Sequence, residues 1–147
     1  MATLTHPTDL NPHDAVAHIL DTYRTIAVVG LSPKPHRDSF EVAQYLQSQG
    51  WRIIPINPNA ASILGEKAYP SLHEAAVHER IGLVNVFRNS ADVPPVVDDA
   101  IAVGATAIWL QLGIVHEASA ALARQAGLRV VQDKCILVEH RRHFQGR

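Results

Sequence analysis

A chain of 147 residues, 47% hydrophobic and 18% charged, can bury the core of one domain and carries no low-complexity tract. Its formal net charge of -1 and sequence pI near 6.7 argue against a nucleic-acid binder, whose footprint is a basic face. No run approaches the roughly 20 apolar residues of a membrane span, and the single cysteine, Cys135, excludes an internal disulfide and a thiol-rich zinc cage.

Residues 1–11 are polar, contain Pro7, and read as an irregular arm without the basic region and apolar core of a signal peptide. With the single thiol, this sets the expectation of a reducing, cytoplasmic setting. A helix is predicted from Asp14 to Tyr23, with Asn11 or His13 near its start and Ile19, Leu20 and Tyr23 on one face. Arm and helix together make a segment over residues 1–24, ahead of one domain over residues 25–147.

Thr25 to Val29 is a continuous apolar run ending in Gly30, the signature of a strand buried on both faces. A helix from Ser39 to Gln49 follows, stopped by Gly50. The second strand, Arg52 to Ile56, contains Pro55, which lacks an amide donor and so demands an edge position or a local irregularity. Pro70 and Ser71 open a short helix through Val77, whose His73, Glu74, His78 and Glu79 read as solvated surface. Then come strand Ile81 to Phe87, helix Val93 to Val103, strand Ala105 to Leu110, helix His116 to Gln125 and strand Leu128 to Val131. Beyond Cys135 the chain is briefly apolar. The basic cluster of His140, Arg141, Arg142, His143 and Arg147 reads as a solvated tail. Five alternations of strand and helix predict an α/β fold, a single Rossmann-like, doubly wound domain with a five-stranded parallel sheet.

Ligands of such sheets sit beyond the carboxyl ends of the strands. The loop after the first strand carries Gly30 for a tight turn, Ser32 with a hydroxyl, Lys34 and Arg37 with positive charge, and a helix N-terminus that favours anions. It is not the three-glycine dinucleotide fingerprint, and the second strand closes on Asn57 and Pro58 rather than on a ribose-binding carboxylate. The P-loop pattern is missing as well. The nine histidines show no pair at a metal spacing, so no metal site is expected.

Six short motifs at the strand ends carry a resemblance: Ala27 to Ser32, Ile56 to Pro58, Leu64-Gly65, Asn85 to Arg88, Trp109 to Gly113, and Asp133 to Ile136 with Glu139-His140. Together they resemble the stand-alone CoA-binding domain family, itself similar to the N-terminal domain of the succinyl-CoA synthetase alpha subunit. The resemblance spans Thr25 to Arg142. It implies non-covalent binding of coenzyme A or an acyl-CoA, with no catalytic residues. The pyrophosphate would lie near Gly30, Leu31 and Ser32, the adenosine near Asn57, Pro58, Val86 and Phe87, and the pantetheine would run toward Gln111, Gly113 and Cys135. Lys34, Arg37 or Arg88 would neutralise the 3'-phosphate, and Pro58, Val86, Phe87 and Val93 would form an apolar slot for adenine.

Core packing competes with ligand contact at Phe87, and Trp109 reads as core. Gln111, polar at a strand end, reads as site. Cys135 is either a small buried hydrophobe or a thiol near the ligand, and spacing alone does not bring Glu139 and His140 to it. The rival to a binding module is an enzyme, either an NAD(P)-type oxidoreductase or a Cys135-dependent acyl transferase. Coenzyme A is the expected partner, with neither nucleic acid nor membrane; a homodimer follows only from the general habit of small proteins.

Overall fold

The computed structural model describes residues 12–145, so the arm expected over residues 1–11 and Arg147 of the basic cluster lie outside the described residues. In chain order the helices are α1 Pro12–Thr22, α2 Asp38–Ser48, α3 Leu72–His78, α4 Val93–Ala102, α5 Glu117–Gln125 and α6 Ile136–Gln145. The strands are β1 Thr25–Val29, β2 Arg52–Ile56, β3 Ser62–Ile63, β4 Glu66–Lys67, β5 Leu83–Val86, β6 Ala107–Leu110 and β7 Arg129–Val131.

Five of the strands form a parallel sheet in the order β2-β1-β5-β6-β7, the doubly wound, Rossmann-like arrangement that the alternation predicts. β2 lies at its edge, which answers the demand made by Pro55. Successive side chains of a strand face opposite ways, and the core divides accordingly. Ala27, Val29, Val84, Val86, Ile108 and Leu110 face a layer built from α3, α4 and α5. Ile26, Val28, Leu83, Ala107, Trp109 and Val131 face α1, α2 and α6. Trp109 is fully buried, as a core residue, with its Nε1 donating to Lys134 O at 2.8 Å. α1 joins this second layer through Ala15, Val16, Ile19 and Leu20.

Three departures from the sequence reading have physical causes. The last three sheet strands begin later than predicted: Ile81, Ala105 and Leu128 are buried, but each precedes its strand, and burial is what an apolar run records. A hairpin of β3 and β4 turns at Leu64 and Gly65, both at positive φ. Its tip is held by Gln47 Nε2, which donates to Leu64 O at 2.9 Å. Residues 136–145 are a helix rather than a solvated tail, because Ile136, His140 and Phe144 recur at every fourth position and place one face against α1 and α2.

Candidate functional site

The strand order reverses between β1 and β5, so the connections leaving these two strands run to opposite faces and part at their carboxyl ends. A cleft of about 990 Å³ opens there. It is lined by the loop after β1, the loop after β5, and the Gly113-Ile114 turn after β6. That turn is held by Asp133 Oδ1, which accepts from Gly113 N at 2.7 Å.

Gly30 closes β1 at φ +86, and its amide donates to Ile56 O at 3.1 Å. A Cβ at this position would collide with the Phe87 carbonyl oxygen and stand 3.2 Å from Arg88 Nη1. Glycine is therefore what allows the two loops to meet. Beyond it, Ser32 N donates to Ser39 Oγ at 2.9 Å and Lys34 N donates to Ser32 Oγ at 3.1 Å. Both hydroxyls act as acceptors in the loop and keep their own protons for another partner. Ser32 thus offers its hydroxyl to the cleft rather than its amide.

Arg37, the N-cap of α2, makes no side-chain capping bond, whereas Ser71 caps α3 and the His116 imidazole caps α5. α4, on the other side of the cleft, opens with Pro94 and Pro95, which have no amide protons to satisfy. The first turn of α2 therefore presents donors and the positive end of a helix dipole to the cleft. Lys34, His36, Arg37 and Arg88 line the same space, and their side chains make no hydrogen bond or ion pair among the described residues. Asp38 and Asp92 share the lining, which leaves the permanent cations ahead by one.

Of the residues expected at the site, Gly30, Ser32, Lys34, Arg37, Phe87, Arg88 and Gly113 line the cleft. Phe87 is half-buried and also packs on the core beneath α2, so both readings of it apply. The apolar adenine slot needs correcting. Val86 and Val93 are wholly buried among α3, α4 and α5, and Pro58 is exposed but outside the cleft lining. Leu31 is likewise buried, with its carbonyl accepting from Asn57 Nδ2 at 2.9 Å. Gln111 belongs to the scaffold: only 4% exposed, its Oε1 accepts from Asn85 Nδ2 and from Ile136 N, both at 3.1 Å. It thereby fastens α6 to the ends of β5 and β6. Asn85, also fully buried, keeps Oδ1 without a partner among the described residues.

Cys135 is half-buried, packs on the α1–α2–α6 core and is outside the cleft lining. Glu139 pairs with Arg142 at 3.3 Å, and His140 Nδ1 lies 2.7 Å from Tyr45 Oη. Sequence reasoning missed His36, Ser39, Asn89 and Ser90 in the lining, although all four sit in the two loops it singled out. His73, Glu74 and His78 of α3 are exposed, as their solvated reading expects, with His73 reaching Asp99 at 3.0 Å and His78 stacking on Tyr69, while Glu79 beyond the helix is half-buried and holds Arg52. Among the described residues no group of histidine, cysteine and carboxylate side chains could hold a metal, and no helix is long and apolar enough to cross a membrane.

Comparison with known proteins bears on the family and the fold. The chain is 40% identical over 131 residues to YneT of Bacillus subtilis, covering 88% of this chain and 96% of YneT. A protein structure from Pyrococcus horikoshii superposes with a TM-score of 0.83 at 34% identity, covering 97% of this chain and 98% of that one. The dinucleotide-forming acetyl-coenzyme A synthetase of Ca. Korarchaeum cryptofilum superposes with a TM-score of 0.64 at 26% identity. That match covers 73% of this chain and 25% of the synthetase. Residues 24–141 match the CoA-binding domain family, and the chain belongs to it.

Proposed function

From membership in the CoA-binding domain family we propose that the chain binds coenzyme A, free or acylated, non-covalently in the cleft between the loops after β1 and β5. In this reading it is a binding module with no catalytic step of its own. The observation that carries the proposal is the set of cations without partners among the described residues, beside the uncapped start of α2, at the point where strand order reverses. An anion there takes the α2 amides and the Ser32 and Ser39 hydroxyl protons. Lys34, Arg37 and Arg88 then neutralise the pyrophosphate and the 3'-phosphate through charge-assisted hydrogen bonds. Phe87 supplies an aromatic surface for adenine, and the pantetheine arm leaves past Gly113.

Two observations favour binding over the rival chemistries. Glu139 and His140 are committed to Arg142 and Tyr45, so neither serves Cys135 as a base. The turn after β1 has a single glycine, and β2 ends before Asn57-Pro58, which leaves a nicotinamide dinucleotide without its ribose carboxylate. Calorimetric titration of ligand-stripped protein with CoA, acetyl-CoA, NAD and ATP tests the proposal. Saturable binding of the CoA species, tighter than NAD or ATP and weakened by salt, is the expected result. Preference for NAD, or no binding of any of the four, would overturn it.

A further inference from the structure

Among the described residues His140 is the one histidine buried in the core, at 5% exposure, and it has a polar partner and an aromatic shell. Its Nδ1 faces Tyr45 Oη of α2 at 2.7 Å. Tyr45 and Trp51 stand edge-on to its ring at centroid distances of 5.3 and 6.0 Å, and Phe144 lies at 4.6 Å. The charged groups around this shell are mostly cations. Arg24, following α1, lies over the rings of Trp51 and Phe144, and Arg141 of α6 lies over Tyr45. His143 of α6 is engaged by Asp21 of α1, Glu139 is engaged by Arg142, and Glu41, one turn before Tyr45 on α2, is exposed.

A neutral imidazole suits this position, since it carries no charge into the shell and either of its tautomers can bond the Tyr45 hydroxyl. A protonated one does not: it brings a charge into an apolar shell beside Arg24. Burial and the Arg24 and His143 charges accordingly hold the His140 pKa below its ordinary value of 6.5. Of the helices that His140 joins, one starts in the cleft and the other starts close to it. α2 begins there with Asp38 and Ser39, and α6 begins on Gln111, one residue before the Leu112-Gly113 turn.

We infer that His140 is a proton-sensitive latch between α6 and α2, and that acidification weakens ligand binding in the cleft by releasing α6 from Tyr45 and slackening its hold on Gln111. The ligand part of this inference rests on the proposed binding of CoA; the latch part does not. Below about pH 6.5 the released state takes up a proton that the latched state refuses, so falling pH favours release.

The test has two readouts, taken from about pH 8 to about pH 5, the range in which histidine titrates. Calorimetry gives CoA affinity, and hydrogen exchange on the ligand-free protein gives protection factors for the α6 amides. CoA affinity of the unmodified chain should fall on the order of tenfold across this range. His140→Phe should lose distinctly less, while sharing every other titrating group of protein and ligand. Tyr45→Phe removes the bond that the latch is made of, so its α6 protection at neutral pH should fall below that of the unmodified chain. α6 protection should fall in acid in the unmodified chain and remain in His140→Phe.

An equal acid loss in His140→Phe would assign the effect to His36 or to the ligand phosphates and overturn the latch. Should that variant not fold, neutral-pH α6 protection in Tyr45→Phe equal to that of the unmodified chain overturns it instead. Acid-labile α6 protection with an affinity curve matching His140→Phe would sever the latch from the cleft and overturn the coupling. Absence of CoA binding at every pH removes the proposed ligand and with it the coupling. The latch is then judged by exchange alone, and α6 protection that is flat with pH overturns it.

Discussion

At the amino ends of the strands, Arg52 holds Glu79 through two parallel hydrogen bonds, and Arg24 donates to the carbonyls of Leu20 and Tyr23 at the end of α1. The Tyr23 hydroxyl meets Thr106 Oγ1 beside them, in a groove of about 430 Å³. At the carboxyl ends, Lys34, Arg37 and Arg88 face a larger cleft with no such partners among the described residues. At the amino end Arg24 and Arg52 are spent on the fold, with Arg80 in the same groove unpartnered among the described residues, whereas all three permanent cations of the cleft are held out to whatever enters. Since charged side chains that stabilise a fold are normally paired, and unpaired ones gathered in a concavity favour an anionic ligand, this contrast supports the proposed site at the carboxyl ends.

Glycine gives the largest expected effect. Gly30 and Gly104 share nearly the same φ, +86 and +83, but no atom lies within 4 Å of a Cβ built on Gly104. Gly104→Ala, in the amino-end groove, should cost about 1 kcal/mol, the strain of positive φ alone. Gly30→Ala adds a collision with the Phe87 backbone and should cost on the order of 3 kcal/mol or more, together with the loss of CoA binding. Urea denaturation of both variants checks the pair; equal midpoints would mean that the close approach of the two loops is not what fixes Gly30.

Next in size is Gln111→Leu. The substitution strands the buried Ile136 amide and takes one of two acceptors from Asn85 Nδ2, which keeps Trp109 O. A lost acceptor for a buried donor costs about 1–3 kcal/mol, so a destabilisation of roughly 2 kcal/mol is expected, read as a lowered urea midpoint. Hydrogen exchange should show it concentrated in α6. A neutral outcome would return Gln111 to the ligand, where its position at a strand end first suggested it belonged.

The sheet was legible because parallel strands buried on both faces leave continuous apolar runs, and the loops of the cleft followed from the rule that ligands sit at strand ends. Side-chain roles within those loops were less so. Val86 and Val93 are apolar whether they form a slot or a core, and only the packing of α3 and α4 decides between them. The scaffold role of Gln111 depends on Asn85, 26 residues away, and on the first amide of α6. α6 itself was hidden because its inward face includes a histidine, and a run rich in Arg and His reads as solvated until Tyr45 is seen to receive it. The β3–β4 turn uses Leu64 at positive φ, where asparagine or glycine would have announced it.

The open cations supply the third expectation. Arg88→Gln should weaken CoA binding about tenfold and flatten its salt dependence, the effect of losing one charge-assisted phosphate contact. Thermal stability should be unchanged, because the side chain has no protein partner among the described residues to lose. A drop in Tm with unaltered affinity would reverse the contrast between the two ends.

Glu79→Gln should give the smallest effect, and it probes the closed end. The Arg52 side chain is half-exposed, so the pair is worth less than about 1 kcal/mol, and that in low salt. The hydrogen bonds from Arg52 hold the Glu79 carboxyl below its ordinary pKa of 4.5. A depressed carboxylate contributes stability that is present above the unfolded value and is lost as pH falls through the folded one. The gap in urea midpoint between the unmodified chain and Glu79→Gln should therefore hold steady near neutral pH and close below about pH 4. CoA affinity should be the same in both chains, because this pair lies at the far end of the sheet from the cleft. A shift in affinity would show that the two ends are coupled through the strands, and the division of labour between paired and unpaired arginines would then no longer account for where the ligand binds.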